Sequence, residues 1–284
     1  MSTRARAAAG GLGGEGPEGP AGRGVPRGEG RDSPAGGRVA GRSRRGARGV
    51  SRPDRSLVIV AGGRSRRLGR DKPLVEIGGR TVLSRILGAT AQFEDTVLAV
   101  REVPPFRRAL AADGWEPGAE SAGPPGSTAF LGPEGRALLV VPDPVPDLGP
   151  LAGLASGLGA ARGAICVVLA GDLPFVTPDL VDRLSGELAS DAESDAVVPH
   201  ARGQAQPLCA AYRREVGRLA ARLVAGTAAS GGPSPSMMGF LERLRVRTVT
   251  AEQVKRLGDL ETMVRGVDSR ADLEWAERSA AGAD

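Results

Sequence analysis

Residues 56–72 read SLVIVAGGRSRRLGRDK. The run Leu57, Val58, Ile59, Val60 is short, apolar and rich in β-branched residues, as expected of a strand buried on both faces. It leads directly into Gly62 and Gly63, then Arg64, Arg66 and Arg67, a third glycine at 69, and Asp71-Lys72. Glycines let backbone N–H groups approach a ligand and form an anion-binding concavity. Arginines grip phosphate oxygens through paired hydrogen bonds, and a lysine adds a compact, movable charge. The stretch is not a P-loop, because Arg70 follows Gly69 and Pro73 follows Lys72, nor does it contain G-x-G-x-x-G. Its chemistry nevertheless suits a polyphosphate.

Outward from this stretch, strand-like and helix-like segments alternate. Strands are expected at 56–61, 95–100, 136–143, 163–172, 195–199, 206–213, 245–250 and 263–267. Helices are expected at 81–92, 107–113, 151–161, 178–189, 214–225, 236–244 and 270–279. Such alternation predicts an α/β fold, an open and mostly parallel sheet with helices on both faces. The Gly/Pro-rich segment 118–135 reads as a surface loop without a catalytic role. In open α/β sheets ligands bind beyond the carboxyl ends of the strands. AGG (61–63), VPD (141–143), AGD (170–172) and Asp268 all fall at such expected ends.

The chain of 284 residues is 40% hydrophobic, ample for a core. Its formal charge of +5 is uneven: residues 1–55 hold 12 Arg against 5 acidic residues, leaving the remainder at −2. That Gly/Arg/Pro-rich tail has too little apolar surface to offset ordering entropy and is expected to be disordered. A near-neutral domain behind a basic tail argues against nucleic acid as the main partner. No apolar run reaches the ~20 residues of a membrane span, and no secretory signal opens the chain, so the expectation is a cytoplasmic protein with no membrane partner. Cys166 and Cys209 lie inside apolar runs and read as core residues, not as a disulfide or zinc framework. His200 is the one histidine, in an expected polar turn, and reads as exposed and inert. Trp115, Trp275 and five Phe are too sparse for a base-stacking platform. Only two of the 38 basic residues are lysines, Lys72 and Lys255, so a lysine directly behind the glycine-rich turn points to a need for an ammonium.

Asp172 ends the most apolar strand, and a buried carboxylate there calls for a cation. One or two carboxylates completed by substrate phosphates describe a Mg²⁺ site. The competing reading is a capping role. Asp143 ends another strand, with Gly149-Pro150 and Gly153 allowing helix 151–161 to begin close to a ligand; a stiff connector is the alternative. Asp268 or Ser269 reads as the N-cap of the last helix.

The run VAGGRSRRLGRDKPLVEIGGRTVLSR resembles the opening of the molybdenum cofactor guanylyltransferase family, the MobA-like NTP transferase domains. The resemblance continues through VPDPVPDLGPLAGLASGL, VVLAGDLPFVTPDLVDRL, DAVVPHARGQAQPLCAAYRRE and GVDSRADLEWA, covering roughly 56–280. It implies a Rossmann-like fold with a single nucleotidyltransferase domain over 56–284. It also implies transfer of GMP from GTP to the terminal phosphate of molybdopterin, with release of pyrophosphate. Carried onto this chain, Val60, Ala61, Gly62, Gly63 and Arg67 would line the nucleotide, and Lys72 would contact its phosphates. Asp143 would lie in the guanosine region, and Asp172 would hold Mg²⁺. GTP and molybdopterin would be the substrates, with other molybdenum cofactor biosynthesis or insertion proteins as partners. Arg202 and Gln206 are placed for molybdopterin by position alone. Leu68, Val100 and Gly266 depart from the family, which has Met, can have Asn, and commonly has Asn there. CTP in place of GTP, another phosphorylated acceptor, or a catalytically silent GTP-binding carrier of the cofactor are the alternatives.

Overall fold

The computed structural model describes residues 54–62, 71–118, 123–143, 148–232 and 236–282. The expected disordered tail, except for its last two residues, lies outside them, as do the expected nucleotide contacts Gly63 and Arg67. The first strand, β1 (Arg55–Val60), is buried along all but its first residue. The next described elements are a 3-10 turn at Lys72–Leu74 and a small hairpin, β2 (Glu76–Ile77) and β3 (Arg80–Thr81). Helix α1 (Val82–Ala89) starts where the Thr81 hydroxyl accepts the Ser84 amide, and buries Val82, Leu83, Ile86 and Leu87. Next are β4 (Asp95–Val100) and α2 (Val103–Ala112), four residues earlier in onset than the expected helix because Pro104 and Pro105 fit within a helix's first turn.

The segment expected to be a loop holds structure instead: after β5 (Glu116–Pro117), strand β6 (Thr128–Leu131) pairs antiparallel with β7 (Ala137–Pro142). Helix α3 (Pro150–Ala160), β8 (Ile165–Ala170) and α4 (Pro178–Ser190) follow, the last capped by Thr177. Strands β9 (Ala196–Ala201) and β10 (Gln204–Ala205) form a tight hairpin in which Arg202 and Gly203 both take positive φ. His200 lies on β9 rather than in a turn, with its side chain exposed. The chain continues with β11 (Cys209–Arg213) and α5 (Gly217–Ser230), ended by left-handed Gly231. After these come α6 (Met237–Leu241), β12 (Val246–Thr250), α7 (Ala251–Val254), α8 (Leu260–Met263) and α9 (Arg270–Ala281). The expected strand at 263–267 does not form: Met263 ends α8, and among the described residues no strand pairs with Val264–Val267.

The main sheet runs β10-β9-β11-β8-β1-β4-β7-β6-β5, with β12 beside β9. Its centre, β8-β1-β4-β7, is parallel, and antiparallel strands flank it on both sides. Side chains alternate across these strands. Leu57, Ile59, Leu98 and Val140 face the layer of α1, α2, α4 and α9. Val58, Val60, Val97 and Val168 face α3, α5 and α6. Fully burying each of the leucines Leu151, Leu154 and Leu158 of α3 contributes roughly 1.5–3 kcal/mol. Helix α3 approaches the sheet closely because it is glycine-rich: a Cβ on Gly153 would sit 2.8 Å from the Val60 side chain, and one on Gly157 would overlap Val58.

The order of the parallel strands reverses at β1. The chain moves outward from β1 to β4 and β7, then returns to β8 on the other side. That is where an open α/β sheet opens a crevice at its carboxyl edge. At the opposite edge a polar network ties the strands together. Asp95 accepts the Ser56 hydroxyl at 2.5 Å, the Arg162 amide at 2.9 Å and the Arg162 guanidinium at 2.7 Å.

Candidate active site

The central strands end nearly level. The Ala61 amide donates to Ala99 O (2.7 Å), the Asp143 amide to Val100 O (2.7 Å) and the Gly171 amide to Val60 O (2.9 Å). Beyond these ends opens a cleft of about 390 Å³, within the range of small-molecule sites. Val60, Ala61, Gly62, Lys72, Asp143 and Asp172 all line it, together with Gly149 and Pro150. Every described residue expected to bind the nucleotide therefore meets in one place.

One wall is built from residues without side-chain bulk. A Cβ on Gly62 would overlap the Asp143 carboxylate, and one on Gly153 would approach the same group at 3.6 Å. Asp143 is thus wedged between the end of β1 and the first turn of α3. Its Oδ1 is buried and has no hydrogen-bond partner among the described residues. Burial pushes its carboxyl up from 3.8 to about 6. The start of α3, at Gly149-Pro150, also faces the cleft and has no side-chain cap among the described residues. The partial positive charge of an uncapped helix N-terminus suits an anion. Gly153 lets the first turn of that helix close onto Val60 and Asp143.

The other wall carries the charges. Lys72 Nζ donates to Asp172 Oδ2 at 3.0 Å and is also bonded to Asp268 Oδ1. Burial works against the Lys72 ammonium, but the two carboxylates outweigh it and hold its pKa above the ordinary lysine value. Burial raises the Asp172 carboxyl, with Lys72 opposing and Asp268 reinforcing that shift. Close packing fixes the lysine's approach, since a Cβ on Gly171 would lie 2.7 Å from the Pro73 ring.

Of the two residues expected to cap α9, Asp268 or Ser269, the cap is Ser269, whose hydroxyl accepts the Asp272 amide at 3.2 Å while the Asp272 carboxylate takes the Ser269 amide at 3.1 Å. Asp268 is thereby free to bind Lys72, and it follows no strand. The signal for this was legible: Ser269 and Asp272 have the spacing of a capping box, which places Asp268 just outside the helix. Gly266 lies against Asp172, where a Cβ would meet the carboxyl carbon at 3.2 Å. Val100 is fully buried in the layer of Leu98 and Val140 and does not line the cleft. Arg202 and Gln206 do not line it either. The Arg202 amide donates to Glu261 Oε1 (2.7 Å), and the Gln206 side chain donates to Ala201 O (2.9 Å). Leu208, from the same QPLCA stretch, does reach the cleft. Burial pushes the Cys166 and Cys209 thiols up to about 12, which suits inert core residues. Among the described residues no helix is long and apolar enough to cross a membrane.

The residues fit a hard divalent cation. Asp172 and Asp268 converge on one ammonium at the open side of the cleft, and Mg²⁺ takes one or two carboxylates and completes its shell with water and phosphate oxygens.

Comparison with known proteins agrees with this architecture. The sequence profile of the MobA-like NTP transferase domain matches residues 57–234. The chain is 29% identical over 216 residues to the "Probable molybdenum cofactor guanylyltransferase" of Pelotomaculum thermopropionicum, covering 76% of this chain and 88% of that protein. It is 32% identical over 166 residues to the protein of the same name from Methanosarcina acetivorans, covering 57% and 65%. Its fold is similar to that of molybdopterin-guanine dinucleotide biosynthesis protein A from Archaeoglobus fulgidus, with a TM-score of 0.60, 23% identity, and 80% and 99% of the two chains covered. The matched profile spans β1 through α5 and includes the residues of both cleft walls except Asp268, so this chain belongs to the family of MobA-like NTP transferase domains.

Proposed function

We propose that this protein transfers GMP from GTP to the terminal phosphate of molybdenum-molybdopterin, releasing pyrophosphate and forming the guanine dinucleotide cofactor. The observation that carries the reading is the Lys72–Asp172 pair at the strand-order reversal, facing the Asp143–Gly62–Gly153 wall across one cleft. The names of the relatives supply the choice of guanine and of molybdopterin. The reading takes the reaction to be cytoplasmic.

An oxygen of the molybdopterin phosphate attacks the α-phosphorus of GTP and forms a new P–O bond. The bond from that phosphorus to the α,β-bridging oxygen breaks, and pyrophosphate leaves with the electron pair. A phosphate oxygen is already deprotonated, so no general base is needed, and His200 outside the cleft is no loss. What the chain must supply is alignment and charge neutralisation. Lys72 meets the charge that builds on the phosphates, the uncapped start of α3 adds partial positive charge, and Gly62 admits the nucleotide close to the backbone. Mg²⁺ held by Asp172 would neutralise phosphate charge and stabilise the departing pyrophosphate.

Lys72→Ala and Asp172→Ala should each lower turnover at least ~100-fold, the scale of one lost transition-state electrostatic contact. Near-normal turnover in either folded variant would remove these roles. Competition for binding between GTP and CTP tests the base, and GTP should win.

A further inference from the structure

Another cavity lies at the end of the sheet opposite the cleft, with a volume of about 470 Å³, within the range of small-molecule sites. Its walls come from the last turns of α3, the residue before β8, and the segment 213–218 that joins β11 to α5. Arg213 is in register with Ile165 at the start of β8, and the Arg214 amide donates to Ala164 O at 2.9 Å, so these walls are tied to the sheet. Asp172 lies beyond the far end of β8, roughly 20 Å away at the usual rise of a strand. The cavity and the cleft share no lining residue.

Its charge is one-sided. Arg213, Arg214 and Arg218 line it together with one carboxylate, Glu215, and none of these four is in an ion pair among the described residues. Arg213 is fixed in the wall, since its guanidinium donates to Ser194 O (2.9 Å), Leu188 O (3.4 Å) and Asp191 O (2.8 Å). The Arg214 guanidinium donates once, to Ala161 O at 3.2 Å. The Arg218 side chain is exposed and has no partner among the described residues. Two guanidinium groups therefore open onto one concave space with N–H donors unengaged. Small residues keep that space clear. A Cβ on Gly217 would lie 2.8 Å from the Leu158 side chain, so the glycine lets α5 start against α3, and a Cβ on Gly159 would meet nothing within 4 Å. Among the described residues no aromatic side chain lines the cavity, so it offers no platform for a base.

We propose that this cavity is a second, separate anion site, which takes a compact phosphate-bearing ligand of the class of pyrophosphate through the Arg214 and Arg218 guanidinium groups. A guanidinium presents parallel N–H donors that match phosphate oxygens, and a ligand with several negative charges can engage both groups at once. Arg213 adds positive charge from the wall and offsets Glu215. The site is independent of the reaction assigned to the cleft.

The test is hydrogen–deuterium exchange of the full chain in EDTA, read peptide by peptide, with inorganic pyrophosphate against potassium chloride of equal ionic strength. Pyrophosphate should slow exchange across residues 214–220, and chloride should not. Arg218→Ala should raise the half-saturating concentration at these residues about tenfold, the scale of one lost hydrogen bond to a charged group. Gly159→Leu fills the cavity from an exposed helix position where leucine is favoured over glycine, and should abolish the protection with the fold intact. Peptides over 57–62 and 168–173 report the cleft separately, and any response there should be the same in both variants as in the parent. Protection confined to the cleft peptides, equal protection by chloride, or protection at 214–220 that both variants retain in full would each overturn the proposal. GTP in place of pyrophosphate identifies the source of the phosphate. Protection by both supports the site and assigns it to the phosphate chain of a larger molecule, while protection by pyrophosphate alone supports it and assigns it to the free anion. Protection at 214–220 by GTP alone would overturn it, because the lining has nothing to hold a base.

Discussion

Replacing Asp143 by Asn takes a negative charge out of the wall between Gly62 and Gly153 while keeping the shape of the side chain. Burial lifts this carboxyl from 3.8 to about 6, and its Oδ1 has no hydrogen-bond partner among the described residues. A rise of about two units corresponds to roughly 3 kcal/mol at ~1.4 kcal/mol per unit. Between those two values the folded chain keeps the proton while the unfolded chain has lost it. This group's contribution to stability is therefore fully present below pH ~4, falls as pH rises to ~6, and is level above that. The Asn variant has no such fall. It should match the parent near pH 4 and exceed it at pH 8 by about 1–3 kcal/mol, the lower value allowing for an amide that is itself incompletely paired. Urea unfolding of both proteins at pH 4, 5, 6 and 8 reads this difference directly, and titrations elsewhere in the chain cancel between them. The same substitution should weaken nucleotide binding, a gain in stability at the expense of the site. An Asn variant no more stable than the parent at pH 8, or a difference that does not shrink towards pH 4, would refute the reasoning.

Gly62→Ala places a methyl group onto the Asp143 carboxylate. It should cost about 1–3 kcal/mol in unfolding free energy and lower nucleotide affinity at least ~10-fold by calorimetry. Asp95→Ala removes the acceptor of the Ser56 and Arg162 bonds at the opposite edge of the sheet, which should cost about 3 kcal/mol in urea unfolding and leave nucleotide affinity unchanged.

The part of the site made by strands was legible because a parallel strand ends where its apolar run ends. LVIV into AGG, LLVVP into Asp143 and CVVLA into Gly171-Asp172 mark three such ends, and the fold makes them level. What escaped was set by neighbours. Met263, Val264 and Val267 are buried and so look like a strand, but they pack beneath the loop after β8, with no sheet edge to join. Strand β6 lies in a Gly/Pro-rich stretch and forms because β7 offers it an open edge. Asp268 reaches Lys72 across 196 residues, a contact that no local pattern encodes.

The most direct test of the central claim is to follow the label from [α-³²P]GTP in the presence of Mg²⁺ and molybdopterin. The account predicts that the α-phosphate moves onto the molybdopterin product, that pyrophosphate appears in equal amount, and that Lys72→Ala abolishes both. Label that stays in GTP under tight binding, or that reaches product equally well in the Lys72→Ala protein, would contradict it.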